Sequence, residues 1–185
     1  MIHDYQNLEI VDSVKLNLPV FSDKRGDFSR LFCQNIFASF GISFEIKQTN
    51  LSKNKFNGTL RGLHFQHGKG LESKIIICIK GTIFDVLVDL RKQSKSYKKV
   101  VTFKLDSPYQ AIYVPSGCAH GFQTLCDNTE ILYFHSNFYN PLFEDGIRYD
   151  DKMLSIKWPE KVKRISDRDK NLQTFQEFEN KSYEM

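Results

Sequence analysis

Arg61, His64, Gln66 and Lys74 stand in or beside runs that otherwise read as β-strand, within the stretch GTLRGLHFQHGKGLESKIIICIKGTIFDVLVDLR from Gly58 to Arg91. Ionisable groups placed along strands suggest a lined pocket. Two-residue alternation puts His64 on the face of Gly62 and Gln66, and a glycine beside a histidine leaves room for a ligand. The same alternation groups Lys74 with Ile76 and Cys78, and Tyr133 with Ile131 and His135. His120 follows the turn Pro115-Ser116-Gly117, at the start of another strand. Such a set suits proton abstraction next to a carbonyl. Histidine titrates near neutral pH and is the usual base. A lysine ammonium can stabilise the oxygen on which enolate charge develops. Epimerisation also needs a proton delivered to the opposite face, and a tyrosine hydroxyl across the pocket can supply it. Each residue taken singly has a plainer reading: a hydrogen-bonded strand histidine, a solvated lysine, a core tyrosine.

The elements that must position these groups read mostly as strands. Residues 8–20 suggest an edge strand ending at Pro19, and Asp23-Lys24-Arg25-Gly26 is a turn. Asn35–Phe40 reads as a helical turn stopped by Gly41, and residues 43–52 as a strand. In residues 82–90, Phe84, Val86, Val88 and Leu90 share one face, while Ile83, Asp85, Leu87 and Asp89 share the other. The two aspartates are expected to face solvent. Further strands are expected at 100–105, 111–114, 121–126 and 130–136, with Ser107-Pro108, Pro115-Ser116-Gly117 and Asp127-Asn128 as turns. Short strands with frequent turns and no βαβ alternation predict an all-β sandwich or barrel. Ser166–Phe178 reads as a tail helix, with Ser166 and Asp169 at capping-box spacing.

A chain of 185 residues suits a single domain, 1–185, large enough for a core of its own. The net charge of +4 carries no basic stripe, so nucleic acid is not an expected partner and an anionic small molecule fits. Cys33, Cys78, Cys118 and Cys126 form no CxxC pair, which suggests reduced thiols and a cytoplasmic protein. MIHDYQNLEIVDS lacks the apolar core of a signal peptide, and no apolar run approaches the ~20 residues of a membrane span.

Ordered motifs then narrow the reading. Leu60-Arg61-Gly62-Leu63-His64-Phe65-Gln66 resembles an LRGLHYQ signature, and Lys74 through Gly81 to Phe84-Asp85-Val86 and Val88-Asp89-Leu90-Arg91 is similar to KxxxxxxGxxFDVxVDxR. Tyr113-Val114-Pro115-Ser116-Gly117-Cys118-Ala119-His120-Gly121-Phe122 resembles YxPPGxAHGF. Glu130–Tyr133, Gly146–Asp151, Ile156–Pro159 and Ile165–Asp169 continue the series. Together they resemble the dTDP-4-dehydrorhamnose 3,5-epimerases and related nucleotide-sugar epimerases from about Asp23 to Asp169. The resemblance implies a cupin-like double-stranded β-helix (a jelly-roll barrel), with short peripheral helices and the helical tail, forming a homodimer. It implies a metal-free, cofactor-independent reaction at C3, C5 or both of a nucleotide-diphosphate-linked 4-keto sugar, in the biosynthesis of surface-polysaccharide sugars. His64 matches the base, Asp169 its carboxylate partner, Lys74 the enolate-stabilising lysine, Tyr133 the acid and His120 a second pocket histidine. Arg61 matches an arginine near the diphosphate. Strict alternation sets Arg61 opposite His64, so a twist or bulge must intervene. Arg25, Phe28, Gln48 and Asn50 lie where the family binds nucleotide and phosphates, and Gln66 belongs to the same substrate-binding group.

Two departures bear on substrate and mechanism. The early motif RGxFxE reads Arg25-Gly26-Asp27-Phe28-Ser29-Arg30, so Arg30 replaces an acceptor by a donor and makes a GDP-linked 4-keto-hexose or heptose an alternative to a dTDP sugar. Phe134 follows Tyr133 where a lysine is usual, on the opposite strand face. A 3,4-ketoisomerase on the same scaffold is the nearest competing activity. A metal-dependent cupin would use His64, His67, Glu72 and His120 as ligands, but His64 and His67 are three apart and a straight strand sends them to opposite faces. A binding module without catalysis would need no base–acid pair.

Overall fold

A run of β-branched residues forms the centre of the structure, a computed structural model that describes residues 4–185. The leading residues 1–3 of the stretch read as lacking a signal-peptide core lie outside the described residues. The strands in chain order are β1 (Tyr5–Asn7), β2 (Val14–Asn17), β3 (Val20–Asp23), β4 (Gly26–Ser29), β5 (Gln48–Asn54), β6 (Leu60–Gln66) and β7 (Lys74–Lys80). They continue as β8 (Ile83–Asp89), β9 (Val100–Leu105), β10 (Gln110–Val114), β11 (Cys118–Thr124), β12 (Thr129–His135) and β13 (Glu144–Gly146). One sheet has the order β1-β2-β10-β7-β12-β5 and the facing sheet the order β13-β6-β11-β8-β9, while β3 and β4 form a separate hairpin arm. This is the all-β, cupin-like sandwich that the motifs imply.

Three apolar clusters explain why the sheets hold together. Ile76, Cys78, Ile83, Leu87, Ile112, Phe122 and Ile131 meet between the sheets. Ile75 and Ile77, on the other face of β7, pack under Phe37, Ile42 and Phe44, so β7 is apolar on both faces. Val86, Val88 and Leu90 pack against Phe175 and Phe178 of the tail. Each such fully buried side chain contributes about 1.5–3 kcal/mol relative to exposure. The face assignments made for β7, β8 and β12 from alternation are the observed ones, including Phe134 on the outer face against Phe32.

Several expected elements differ. The 8–20 strand is interrupted by a turn at residues 9–12, where Asp12 has φ +67°. The 43–52 strand begins only at Gln48, because Phe44 turns inward to cover the sheet rather than pairing in it. The tail helix is two short helices. After α1 (Gln34–Ser39), α2 spans Asp167–Lys170 and α3 Phe175–Glu179, and between them Gln173 bridges to Ile147 in β pairing. That backbone pairing removes residues 171–174 from a continuous helix. Ser166 Oγ accepts the Asp169 N–H at 3.0 Å, but the Asp169 side chain does not return the bond, so the reciprocal capping box belongs to Thr174 and Glu177 of α3. Asp85 and Asp89 are fully buried rather than solvent-facing, because their strand face points between the sheets. Asp89 is satisfied there by Arg91, Ser94 and Ser96.

The β6–β11 pairing holds the irregularity that alternation required. His64 pairs with His120 and Arg61 with Phe122, so between them Gly62 and Leu63 on β6 stand against Gly121 alone on β11. The extra residue turns Arg61 back to the side of His64. Gly62, at φ +111°, occupies the bulge, and a Cβ there would stand 2.7 Å from both Gly121 Cα and His120 O. Gly62→Ala is therefore expected to cost about 2–4 kcal/mol, from backbone strain plus a clash with unyielding backbone. Urea unfolding measures it, and a loss under about 0.5 kcal/mol would mean that the bulge relaxes freely.

Candidate active site

Toward the Lys74 end of β7 the space between the sheets opens into a cavity of about 280 Å³. Arg61, His64 and Gln66 of β6 and His120 of β11 form one wall. Gln48 and Asn50 of β5, Lys74 of β7, and Tyr133 and His135 of β12 form the other. Period-two alternation of Tyr133 and His135, with β12 paired to β7 at Tyr133↔Ile76 and His135↔Lys74, aims these side chains inward together.

His64 Nε2–H donates to Asp169 Oδ1 at 2.8 Å, and the Gly62 N–H donates to Asp169 Oδ2 at 3.1 Å. Burial alone would raise the Asp169 carboxyl. The His64 hydrogen bond and charge, with the Gly62 and Ser166 contacts, outweigh it and hold the pKa below the ordinary value. An ionised Asp169 fixes the tautomer of His64 and leaves Nδ1 for the cavity. Tyr133 stands between His120 and His135, with ring centroids 6.0 and 5.9 Å away. Desolvation, then the nearby Asp85, push its phenol well above the usual range, so it stays protonated and able to donate. His120 Nε2 lies 2.7 Å from Asp85 Oδ1. Burial lifts the Asp85 carboxyl, and the histidine offsets this only in part.

Lys74 Nζ lies 3.2 Å from Glu72 Oε1. Arg61 Nε–H donates to Asn54 Oδ1 at 2.9 Å, which spreads its guanidinium along the rim. Gln66 borders the cavity, but its amide is engaged with the backbone of Phe138 and Asn140, and the Gln48 carbonyl takes the Tyr139 N–H. These two glutamines pin the 138–140 loop over the cavity mouth.

Three expected binding residues lie elsewhere. Arg25 pairs with Asp23 at 2.5 Å on the exposed β3–β4 arm, Phe28 projects from the same arm at 64% exposure, and Arg30 borders a crevice beside α1 with Leu18, Pro19 and Phe37. None of the three lines this chain's cavity. The metal-ligand set is not assembled either. His67 packs against Phe143 and Tyr183, and His64, His120 and Glu72 each hold a different partner. Among the described residues no three His, Cys, Asp or Glu side chains converge as ligands. The cavity also contains Tyr139 and Glu144, which the sequence reading did not name, and Glu72 and His135, which it named only as a possible metal ligand and as a face-mate of Tyr133.

The arrangement combines a carboxylate-oriented histidine on one wall with an ammonium and a phenol on the other. It can remove a carbon-bound proton, hold the resulting oxyanion and supply a proton from the far side.

Comparison with known proteins agrees with this chemistry. The sequence profile of dTDP-4-dehydrorhamnose 3,5-epimerase matches residues 7–177. The dTDP-4-dehydrorhamnose 3,5-epimerase of Shigella flexneri is 39% identical over 169 residues, covering 90% of this chain and 93% of the relative. The Bacillus anthracis enzyme of the same name, solved with TDP and pyrophosphate bound, superposes with a TM-score of 0.91 at 32% identity, covering 94% of this chain and all of the other. A Legionella pneumophila dTDP-6-deoxy-D-glucose-3,5-epimerase, solved in complex with dTDP-4-keto-L-rhamnose, gives a TM-score of 0.88 at 29% identity, covering 95% and 94% of the two chains.

Proposed function

The chain belongs to the dTDP-4-dehydrorhamnose 3,5-epimerase family, and from that premise we propose how its cavity performs the reaction. The protein is an isomerase of nucleotide-sugar biosynthesis that inverts carbons beside the carbonyl of a nucleotide-linked 4-keto-6-deoxyhexose. Our reading takes a dTDP-linked sugar as the substrate. One observation supports the epimerase reading above the rest: His64, held by Asp169, shares a cavity with Lys74 and Tyr133.

His64 takes the proton from the carbon next to C4 through Nδ1, while Asp169 stabilises the imidazolium through Nε2–H. The electron pair moves onto the carbonyl oxygen, where the Lys74 ammonium meets the enolate charge. Tyr133 delivers its phenolic proton to the opposite face and regains one from solvent. His120, held by Asp85, backs the Tyr133 ring and donates to the sugar. Arg61 takes the diphosphate, with Gln48 and Asn50 beside it at the rim.

The enzyme acts as one catalytic domain spanning 1–185 and as a homodimer. The dimer reading is supported by Arg25, Phe28 and Arg30, which lie outside this chain's cavity, two of them on an exposed arm able to reach a second copy. Four free cysteines suit the reducing cytoplasm, and among the described residues no helix is long and apolar enough to cross a membrane.

The test is incubation with dTDP-4-keto-6-deoxy-D-glucose in D2O, with a GDP-linked 4-keto sugar in parallel, followed by NMR. Deuterium entering C3 or C5 with inversion is expected from the dTDP sugar. Reaction of the GDP sugar alone would reassign the nucleotide. Carbonyl migration to C3 would make the enzyme a ketoisomerase, and no exchange with either sugar would defeat the proposal.

A further inference from the structure

Besides His64–Asp169 and His120–Asp85, the cavity holds a third histidine–carboxylate pair that the mechanism above leaves unused. His135 Nδ1–H donates to Glu72 Oε2 at 2.8 Å, while Glu72 Oε1 faces Lys74 Nζ. The β12–β7 register brings this about by setting His135 beside Lys74. The side chains of Glu72 and His135 are only 7% and 12% exposed. Burial alone would raise the Glu72 carboxyl, but the Lys74 charge and the His135 contact hold it below the ordinary value, so it stays an acceptor. With Nδ1 tied, His135 turns Nε2 toward the Asn50 amide, 3.3 Å away in the cavity. That amide serves either charge state of the ring, donating its N–H to a neutral imidazole or, turned over, accepting from an imidazolium.

The position of His135 matters as much as its partner. It shares a strand face with Tyr133, and the two rings lie 5.9 Å apart at 25°. In a gluco-configured 4-ketopyranose the hydrogens on C3 and C5 lie on one face of the ring. A base on the β6 wall removes both from that side, so both carbons must be reprotonated from the side of β12. Tyr133 and His135 are two proton-bearing groups on that wall. Resting on the epimerase reading, we propose that His135 is a second catalytic acid. Tyr133 reprotonates one of the two carbons and His135 the other, with Glu72 as the positioning residue.

The step balances as follows. His64 takes the carbon-bound proton, and the C–H pair becomes the enolate beside Lys74. The enolate then forms a new C–H bond with the proton from His135 Nε2. His135 is left as a neutral imidazole still donating Nδ1–H to Glu72. Solvent reprotonates His135 and accepts the proton held by His64.

Carbon-resolved NMR in D2O tests this with dTDP-4-keto-6-deoxy-D-glucose. The unaltered enzyme is expected to invert both carbons. His135→Asn is expected to slow inversion at one carbon about 100-fold while the other stays within about threefold. Deuterium still enters the slowed carbon, with retained configuration, because His64 returns it. Tyr133→Phe is expected to show the complementary carbon affected. Glu72→Gln should reproduce the His135→Asn pattern more weakly, and Glu72→Asp should restore part of it. Continued inversion at the spared carbon shows that the fold stands. Equal loss at both carbons, loss at neither, or an unaltered enzyme that inverts a single carbon would each overturn the inference. An unaltered enzyme that exchanges at neither carbon would instead sink the epimerase reading beneath it.

Discussion

His64→Asn is expected to lower exchange at both carbons by about 10³–10⁴-fold and to leave the protein folded. The size of the effect follows from position. On the β6 wall, His64 has its carboxylate partner, Asp169, held ionised and its other ring nitrogen left for the substrate. His120 is nearly fully buried against Asp85, and His135 stands on the opposite wall. Asparagine suits the test because its amide can still donate to Asp169, so the buried carboxylate is not stranded. Proton exchange in D2O at saturating substrate measures the loss, and thermal unfolding checks the fold. Exchange above about a tenth of the original rate would move the base elsewhere, with His120 next in line.

How far the site could be read without coordinates varies by residue, and the reasons are physical. Alternation is local, so the faces of β7, β8 and β12 were legible, and with them the inward aim of Lys74 and Tyr133. Arg61 broke the alternation, and the cause lies in pairing rather than in β6 alone: the bulge opposite His120 and Phe122. Asp85 and Asp89 were misassigned because alternation distinguishes two faces without saying which is wet. Here both faces of β8 are covered, one by the facing sheet and one by the tail. The Glu72–His135 pair was invisible for a related reason. The two residues are 63 positions apart, and only the β12–β7 register brings them together. Arg25 and Phe28 matched a binding motif, yet both lie on the exposed β3–β4 arm outside the cavity. Motif matching reports which residues recur, and it is silent on where the fold places them.

Lys74→Met should separate two jobs that the wild-type side chain does at once. Its ammonium is placed to meet enolate charge, and removal of one such donor costs about 10²–10³-fold in turnover. It also neutralises Glu72 at 3.2 Å in a setting where the two side chains are 10% and 7% exposed. Methionine fills a similar volume but strands the carboxylate with His135 as its remaining partner, and breaking a buried pair from one side costs about 3 kcal/mol. The single variant is thus expected to lose both activity and stability. Adding Glu72→Gln removes the stranded charge, so the double variant should regain most of the stability in urea unfolding. Its turnover should stay low, because nothing restores a cation at the developing oxyanion. If turnover returned together with stability, the role of Lys74 would be to neutralise Glu72, and the enolate would need another partner, for which Arg61, a further cation lining the cavity, is the candidate.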